Sequence, residues 1–177
     1  MAVEDFTTYT EVDPNLRITK TATRVTGTAL TRNEDAYVYL DKGVNYFDGD
    51  FTHLLTVCLT AISAYNARVY LWGLTNTIDD MKGIDDANGS FLGVFFYQGA
   101  ATKQLYIEEV DSGMSRADNY QGVSLSTVYY LKIVRDESVG TYGTLYCYIY
   151  SNAARTVLVD TLSLTLTTSK KDFRYLF

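Results

Sequence analysis

The chain has 177 residues and a formal net charge of −6, with 47% hydrophobic and 20% charged residues. This length fits a single domain with its own core, and the composition excludes an intrinsically disordered protein. Nucleic acid is not an expected partner, because neutralising phosphate groups requires a face rich in Lys and Arg. Lys170–Lys171 is the only adjacent basic pair in the sequence.

Neither the first residues nor any internal run indicates export or membrane insertion. A transmembrane helix requires roughly 18 or more apolar residues in a row, and no run is that long. The segment 1–6, Met-Ala-Val-Glu-Asp-Phe, has neither the basic nor the apolar region of a signal peptide. We therefore expect a protein that is made in the cytoplasm without a signal peptide and is not inserted into a membrane.

Short stretches with a period of two predict strands along the whole chain. The composition agrees, because the 16 tyrosines favour strands. In chain order the predicted strands are 16–20, 23–28, 35–41, 51–60, 67–74, 90–97, 103–110, 128–135, 144–151 and 156–161. Turn residues such as Asp48-Gly49-Asp50 separate them.

Two further features of this pattern predict the architecture. Segment 67–74 is apolar on both faces, which is typical of a strand in the middle of a sheet, and no segment of ten residues has the 3.6 period of a helix. We therefore predict an all-β fold, a two-sheet antiparallel β-sandwich of the jelly-roll kind, in one domain over 1–177.

Two late segments carry a resemblance to a known superfamily. Segment 129–136 (Tyr-Tyr-Leu-Lys-Ile-Val-Arg-Asp), a loop, and segment 143–151 (Gly-Thr-Leu-Tyr-Cys-Tyr-Ile-Tyr-Ser) resemble the paired late strands of concanavalin A-like lectin/glucanase domains, which include laminin-G-like modules. Segments 47–59 and 69–74 stand where that fold places its earlier strands. The whole chain also looks like small domains of tailed-phage structural proteins.

The resemblance implies two stacked sheets, one of them curved, with sugar or protein ligands on the concave face or at the rim loops. Such folds often return a last strand beside the first, for which only 172–177 is available here. Two interpretations follow. The chain is a fragment of something longer, or its C-terminal end is completed by a neighbouring chain, as in a homo-oligomer.

Few residues suit catalysis. His53 is the only histidine, and it stands five residues from Cys58 in one strand, so the two side chains point to opposite faces. We expect Cys58 and Cys147 to be buried free thiols, because each lies in an apolar strand pattern. Glu109 and Asp111 share a strand face about 7 Å apart, as in a glycosidase pair.

The resemblance implies a Glu-x-Asp-x-Glu motif in which Glu109 would be the nucleophile and Asp111 its helper. The third position is Gly113, so the general acid is missing. We therefore interpret Glu108–Glu109 as an ordinary solvated strand end and predict no catalytic residue.

An acidic loop at 76–88 is a candidate metal site. Its oxygen-bearing side chains suit Ca²⁺ by chemistry, although their spacing does not match the Asp-x-Asp-x-Asp-Gly loop. The alternative is a solvated loop whose acidic residues cap turns. The candidate ligands are Asp79, Asp80, Asp85, Asp86 and Asn88.

A row of tyrosines is the candidate ligand-binding surface. Within 145–150 tyrosines alternate with aliphatic residues and Cys147, so one face of the strand is aromatic and the other faces the core. The predicted surface consists of Tyr146, Tyr148 and Tyr150, with Tyr130, Tyr70 and Trp72 joining from other strands. Three interpretations stay open: a platform for sugar rings, cross-strand packing that only stabilises the sheet, and a contact with another subunit.

Together these features predict a non-enzymatic module on a virion or outside the cell that engages glycans or other virion subunits, without a cofactor unless Ca²⁺ occupies the acidic loop. A virion protein is assembled in the cytoplasm and leaves by lysis, so it needs no signal peptide. The alternatives are a purely architectural capsid, tail or filament subunit and a polysaccharide-active glycoside hydrolase or lyase.

Overall fold

The computed structural model describes residues 3–168 and 171–177. One turn of 3-10 helix (Phe6–Thr8) and a short helix, α1 (Met81–Asp86), accompany the strands. The strands are β1 (Thr10–Val12), β2 (Ile18–Thr21), β3 (Arg24–Gly27), β4 (Tyr37–Asp41), β5 (Phe51–Cys58), β6 (Arg68–Thr75), β7 (Phe91–Gln98), β8 (Lys103–Asp111), β9 (Met114–Tyr120), β10 (Val128–Asp136), β11 (Thr144–Tyr150), β12 (Leu158–Thr165) and β13 (Tyr175–Leu176).

The strands form two large antiparallel sheets and one separate hairpin. The large sheet has the order β1-β4-β13-β6-β7-β8-β9, the small sheet has the order β12-β11-β10-β5, and β2 pairs only with β3. The predicted all-β class with antiparallel sheets is therefore confirmed. The hairpin predicted over 129–151 is confirmed as well, since β10 and β11 pair from Tyr130↔Tyr150 to Asp136↔Thr144.

The core lies between the inner faces of the two sheets. The small sheet contributes aliphatic side chains such as Leu131 and Ile149, and the large sheet contributes Leu74, Leu92 and Ile107, all inaccessible to solvent. Burying each such side chain stabilises the fold by about 1.5–3 kcal/mol. Strict alternation along β10 and β11 therefore fixes which side chains remain on the outside.

Strand β6 is the fourth of seven strands, as its two apolar faces predict. Its inner face packs in the core, whereas its outer face is covered by α1. A Cβ at Gly73 would stand 2.4 Å from Cε of Met81, so a larger residue there would require the Met81 side chain to move. The helix itself was not predicted, because it lies within the segment interpreted as an acidic loop. Its sequence signals are the N-cap Asp80 and the apolar pair Met81 and Ile84.

The C-terminal strand differs from the expectation. β13 lies between β4 and β6, where Tyr175 pairs with Asp41 on one side and Thr75 on the other. Arg174 holds this end in place by two hydrogen bonds to the Asp41 carboxylate, at 2.8 and 2.5 Å. Both edges of β13 are thus occupied by strands of the same chain.

Strand β9 was missed by the sequence prediction because it is polar and lies at the edge of the sheet. A tight turn at Ser112 and Gly113, with φ of 53° and 76°, reverses the chain after β8 and brings β9 alongside it. Such a turn suits Gly at its second position. No helix in the described ranges is long and apolar enough to cross a membrane.

Candidate functional site

The tyrosine row of β11 lies on the outer face of the small sheet. Tyr146, Tyr148 and Tyr150 are half-buried, whereas Leu145, Cys147 and Ile149 between them are fully buried. The predicted orientation of this strand is therefore confirmed. Tyr130 of β10 stands directly opposite Tyr150 and faces the same way. We call Tyr130, Tyr146, Tyr148 and Tyr150 the tyrosine face.

The rings of the tyrosine face are ordered, but their hydroxyls are not used by the fold. Tyr146 and Tyr148 are nearly parallel, with ring centroids 6.0 Å apart and an interplanar angle of 20°. None of the four hydroxyls donates or accepts a hydrogen bond with any residue that the structure describes. The face therefore presents ring surfaces together with polar groups that are open to an external partner.

Two cations accompany the tyrosines. Lys132 stands opposite Tyr148, and its ammonium lies 5.7 Å from the centre of that ring. Arg155, from the loop after β11, lies with its guanidinium 5.8 Å from the centre of Tyr130. The sequence prediction included neither residue, although the alternation of β10 puts Lys132 on the same face as Tyr130.

Arg155 also fixes the loop over the sheet. Its Nε donates to the carbonyl of Leu131 at 3.2 Å and its Nη2 donates to the carbonyl of Leu55 at 3.3 Å. The backbone of Arg155 is left-handed, with φ of 53°. Because a side chain held this way has little freedom, it contributes a fixed positive charge at the border of the tyrosine face.

Two predicted members of the surface are absent from it. Tyr70 lies on the outer face of the large sheet, where its hydroxyl donates to Glu108 Oε2 at 2.7 Å. Trp72 is only 4% exposed and lies in the core, where its indole N–H donates to His53 Nδ1 at 2.9 Å. Residues two apart in a regular strand share a face, but a register shift between Tyr70 and Trp72 puts them on opposite faces. The prediction that both join the tyrosine row is therefore wrong.

The outer face of the large sheet carries a second group of aromatic residues, which the sequence analysis did not identify as a surface. We call it the large-sheet face: Tyr37, Tyr39, Tyr70, Phe91, Phe95, Tyr97, Tyr106, Tyr175 and Phe177. Its rings pack on one another, as in the stacked pair Phe95 and Tyr106 with centroids 5.0 Å apart. Helix α1 covers part of this face through Met81 and Ile84.

The carboxylates of β8 are enclosed by the protein. Glu109 is inaccessible to solvent, and its oxygens accept hydrogen bonds from the backbone and hydroxyl of Thr167 at 3.0–3.1 Å. Lys171 Nζ lies 3.3 Å from Glu109 and 2.7 Å from Asp111. Burial raises the pKa of Asp111, but hydrogen bonds from Lys171 and Ser90 and the Lys171 charge together lower this pKa to about 2.

The shared face predicted for Glu109 and Asp111 is thus found, but an enclosed, ion-paired couple cannot reach a substrate. On the opposite face of β8, Glu108 is also buried and accepts hydrogen bonds from Arg68, Tyr70 and Ser115. The interpretation of Glu108–Glu109 as a solvated strand end is therefore wrong, because both carboxylates have partners inside the fold.

The acidic loop is organised around α1. Asp80 is the N-cap and accepts hydrogen bonds from the backbone of Lys82 and Gly83, while Asp86 pairs with the Lys82 ammonium. The predicted ligands Asp79, Asp80, Asp85, Asp86 and Asn88 lie before, within and after this helix. Among residues 3–168 and 171–177, no three His, Cys, Asp or Glu side chains are grouped so that they could hold a metal ion. The structure does not bring the five candidates together as ligands.

The remaining chemical candidates are separate from one another. His53 points into the core and Cys58 points outward, as the strand period predicts. Cys147 is buried and Cys58 is exposed, so the prediction of two buried thiols is right for Cys147 only. Burial lowers the pKa of His53 to about 4 and raises the pKa of Cys147 to about 12. Neither group combines the accessibility and the partner that a nucleophile or base requires.

The tyrosine face is therefore a surface on which none of the four tyrosine hydroxyls bonds to a described residue. Stacked rings, open hydroxyls and nearby cations suit a partner that combines apolar patches with hydroxyl or anionic groups. Comparisons with known proteins found no matching family model, no similar curated protein and no similar solved structure.

Proposed function

We propose that this protein is a non-enzymatic binding module that engages glycans through the tyrosine face. The observation that carries the proposal is the set of four half-exposed tyrosines whose hydroxyls bond to no described residue. Tyrosine presents a large rigid surface at low cost in side-chain entropy, and its hydroxyl bonds to sugar hydroxyls. A row of such residues on a pleated sheet suits successive sugar rings of an extended chain.

The setting of this activity is also a proposal. We infer a concanavalin A-like jelly roll that works on a virion or outside the cell, made in the cytoplasm without a signal peptide and assembled as a homo-oligomer. Supporting this inference are two antiparallel sheets around one core. A Ca²⁺ ion in the acidic loop stays a prediction. If it is right, excess chelator lowers the melting temperature, and if it is wrong, the melting temperature stays the same.

A glycan array followed by titration calorimetry tests the binding function. We expect at least one glycan class to bind, and Tyr148→Ala to weaken that binding by about tenfold or more, because a stacked ring is lost. Tyr65→Ala is the matched control, since Tyr65 is 61% exposed in the loop between β5 and β6. Equal losses in both variants, or no binding across the array, would contradict the proposal.

A second candidate function is supported by the edge of the small sheet. Val157, Leu158 and Val159 are consecutive and 38–54% exposed, and β12 is an edge strand. An exposed apolar edge is a template for pairing with another strand. This observation favours an architectural subunit that joins copies of the chain edge to edge.

Light scattering coupled to size exclusion tests the second candidate. We expect an oligomer in the native protein and a monomer in Leu158→Lys, because a charge opposes edge pairing. Val44→Lys is the control at an equally apolar site, 75% exposed in the loop before β5. A native monomer would remove the architectural function and leave the glycan proposal intact.

A further inference from the structure

We propose that the ligand of the tyrosine face is an anionic glycan, whose carboxylate or sulfate group is bound by Lys132. This inference rests on the proposed glycan-binding function and narrows it to one chemical class. It starts from the position of Lys132, whose neighbours on the sheet are all uncharged.

The neighbours of Lys132 follow from the sheet register. Lys132 pairs with Leu54 on β5 and with Tyr148 on β11. The surrounding outward-facing positions are Thr52, Thr56, Tyr130, Val134, Tyr146 and Tyr150. No carboxylate occurs among these eight neighbours. Asp136, the next acidic residue on this face of β10, stands four positions away, about 13 Å along the strand.

Lys132 is not neutralised by the fold. It forms no ion pair or hydrogen bond with any residue in the described ranges, and its one recorded contact is with the Tyr148 ring. Four other lysines of this acidic protein have carboxylate partners: Lys20 with Glu11, Lys42 with Glu4, Lys82 with Asp86, and Lys171 with Glu109 and Asp111. Lys103, at the start of β8, shares with Lys132 the lack of a carboxylate partner among the described residues. The charge of Lys132 is therefore open to an anion brought by the ligand.

The surroundings strengthen such a contact. Lys132 is half-buried among aromatic and aliphatic side chains, where water screens a charge less than at a fully exposed site. Arg155 adds a second positive charge near Tyr130, but it uses Nε and Nη2 to hold backbone carbonyls. Arg155 therefore raises the local positive potential, while Lys132 is the side chain with free donors.

The same charges favour a glycan over other anionic polymers. A chain with a net charge of −6 disfavours association with a polyanion. A single open ammonium between uncharged rings instead matches a sugar unit that carries one carboxylate or sulfate and is flanked by stacking sugar rings. Charge complementarity on this face therefore selects an acidic sugar within an otherwise neutral ligand.

The test uses pairs of oligosaccharides with the same backbone, one carrying uronic acid carboxylates or sulfates and the other carboxyl-reduced or desulfated. We expect the native protein to bind the anionic member about tenfold more tightly, and this preference to fall as salt is raised. In Lys132→Met the ratio should drop to near one, and Lys132→Arg should restore most of it. Lys103→Met, which removes a positive charge at the start of β8, should leave the ratio unchanged.

The outcomes separate this inference from the proposed function. Equal affinity for both members, or a preference that survives in Lys132→Met, overturns the assignment of Lys132 while glycan binding stands. Failure to bind either member, together with an oligomer in which the tyrosine face is protected from hydrogen exchange and chemical labelling, overturns both. Circular dichroism and the urea midpoint of each variant show that the comparison is made between folded proteins.

Discussion

The two aromatic surfaces of this protein differ in how many of their tyrosine hydroxyls form hydrogen bonds within the fold. On the large-sheet face, the hydroxyls of Tyr70, Tyr97 and Tyr106 bond to Glu108, Asn66 and Gln104. The hydroxyls of Tyr37, Tyr39 and Tyr175, on β4 and β13 of the same face, form no hydrogen bond with a described residue. On the tyrosine face, the hydroxyls have no partner among the described residues. Burial and the adjacent Glu108 raise the pKa of Tyr70. The state of the hydroxyls therefore distinguishes the tyrosine face from the part of the large-sheet face on β6, β7 and β8, where the fold uses them.

The largest expected difference between the two faces is in stability. Phe95 is buried between the rings of Tyr70 and Tyr106, so Phe95→Ala should lower the free energy of unfolding by about 3–5 kcal/mol. Tyr148→Ala removes a half-exposed ring and should cost about 1 kcal/mol or less. Urea unfolding followed by tryptophan fluorescence measures both values. Equal costs would show that the tyrosine face is also structural and would weaken the proposed function.

The alternation of residues predicted the tyrosine face because β10 and β11 pair with each other without a register shift. Leu145, Cys147 and Ile149 face the core in strict alternation, so the sequence alone determines where the tyrosines point. The face of Trp72 could not be predicted in this way. A period of two assumes an unbroken strand, and β6 has a register shift between Tyr70 and Trp72. The prediction therefore failed at a strand whose pairing with its neighbour has a register shift.

Charged residues were harder to interpret than aromatic ones. Glu108 and Glu109 are polar, and their sequence context resembles a solvated strand end. Their burial depends on Arg68 and Lys171, which lie about 40 and 60 residues away in sequence. Such partners become evident only when the sheets are assembled. The position of the last strand was not predicted for a similar reason. β13 lies between β4 and β6, and these neighbours are distant from it in sequence.

An acid titration tests the burial of His53 in the core between the two sheets. Burial lowers the pKa of His53 to about 4, while an unfolded histidine titrates near 6.5. Between these two pKa values the unfolded chain binds a proton at His53 that the folded protein does not bind. The free energy of unfolding therefore falls as the pH drops below 6.5, by about 2 kcal/mol at pH 5. Urea midpoints between pH 7 and pH 5 measure this loss.

His53→Gln is the control for the acid titration. Its amide oxygen can accept the Trp72 N–H but has no proton to gain, so we expect a flatter dependence on pH in this window. An unchanged slope would assign the loss to carboxylates instead. Below about pH 4 the lowered pKa of Asp111 and of Asp41 adds a further loss in both proteins, since the unfolded state then binds more protons.

The smallest expected effect is that of a single hydroxyl on the tyrosine face, and its comparison with a hydroxyl on the large-sheet face is the most direct test of the difference between the two faces. Tyr70→Phe removes a donor to the buried Glu108 carboxylate, which should cost about 1–3 kcal/mol in the free energy of unfolding. Tyr146→Phe removes a hydroxyl that bonds to no described residue and should leave stability within about 0.5 kcal/mol. Glycan affinity should fall in Tyr146→Phe and stay unchanged in Tyr70→Phe, because of these two hydroxyls only that of Tyr146 can bond to a sugar. A Tyr146→Phe variant that is destabilised as much as Tyr70→Phe would mean that the fold uses this hydroxyl, and the distinction between the two faces would then be lost.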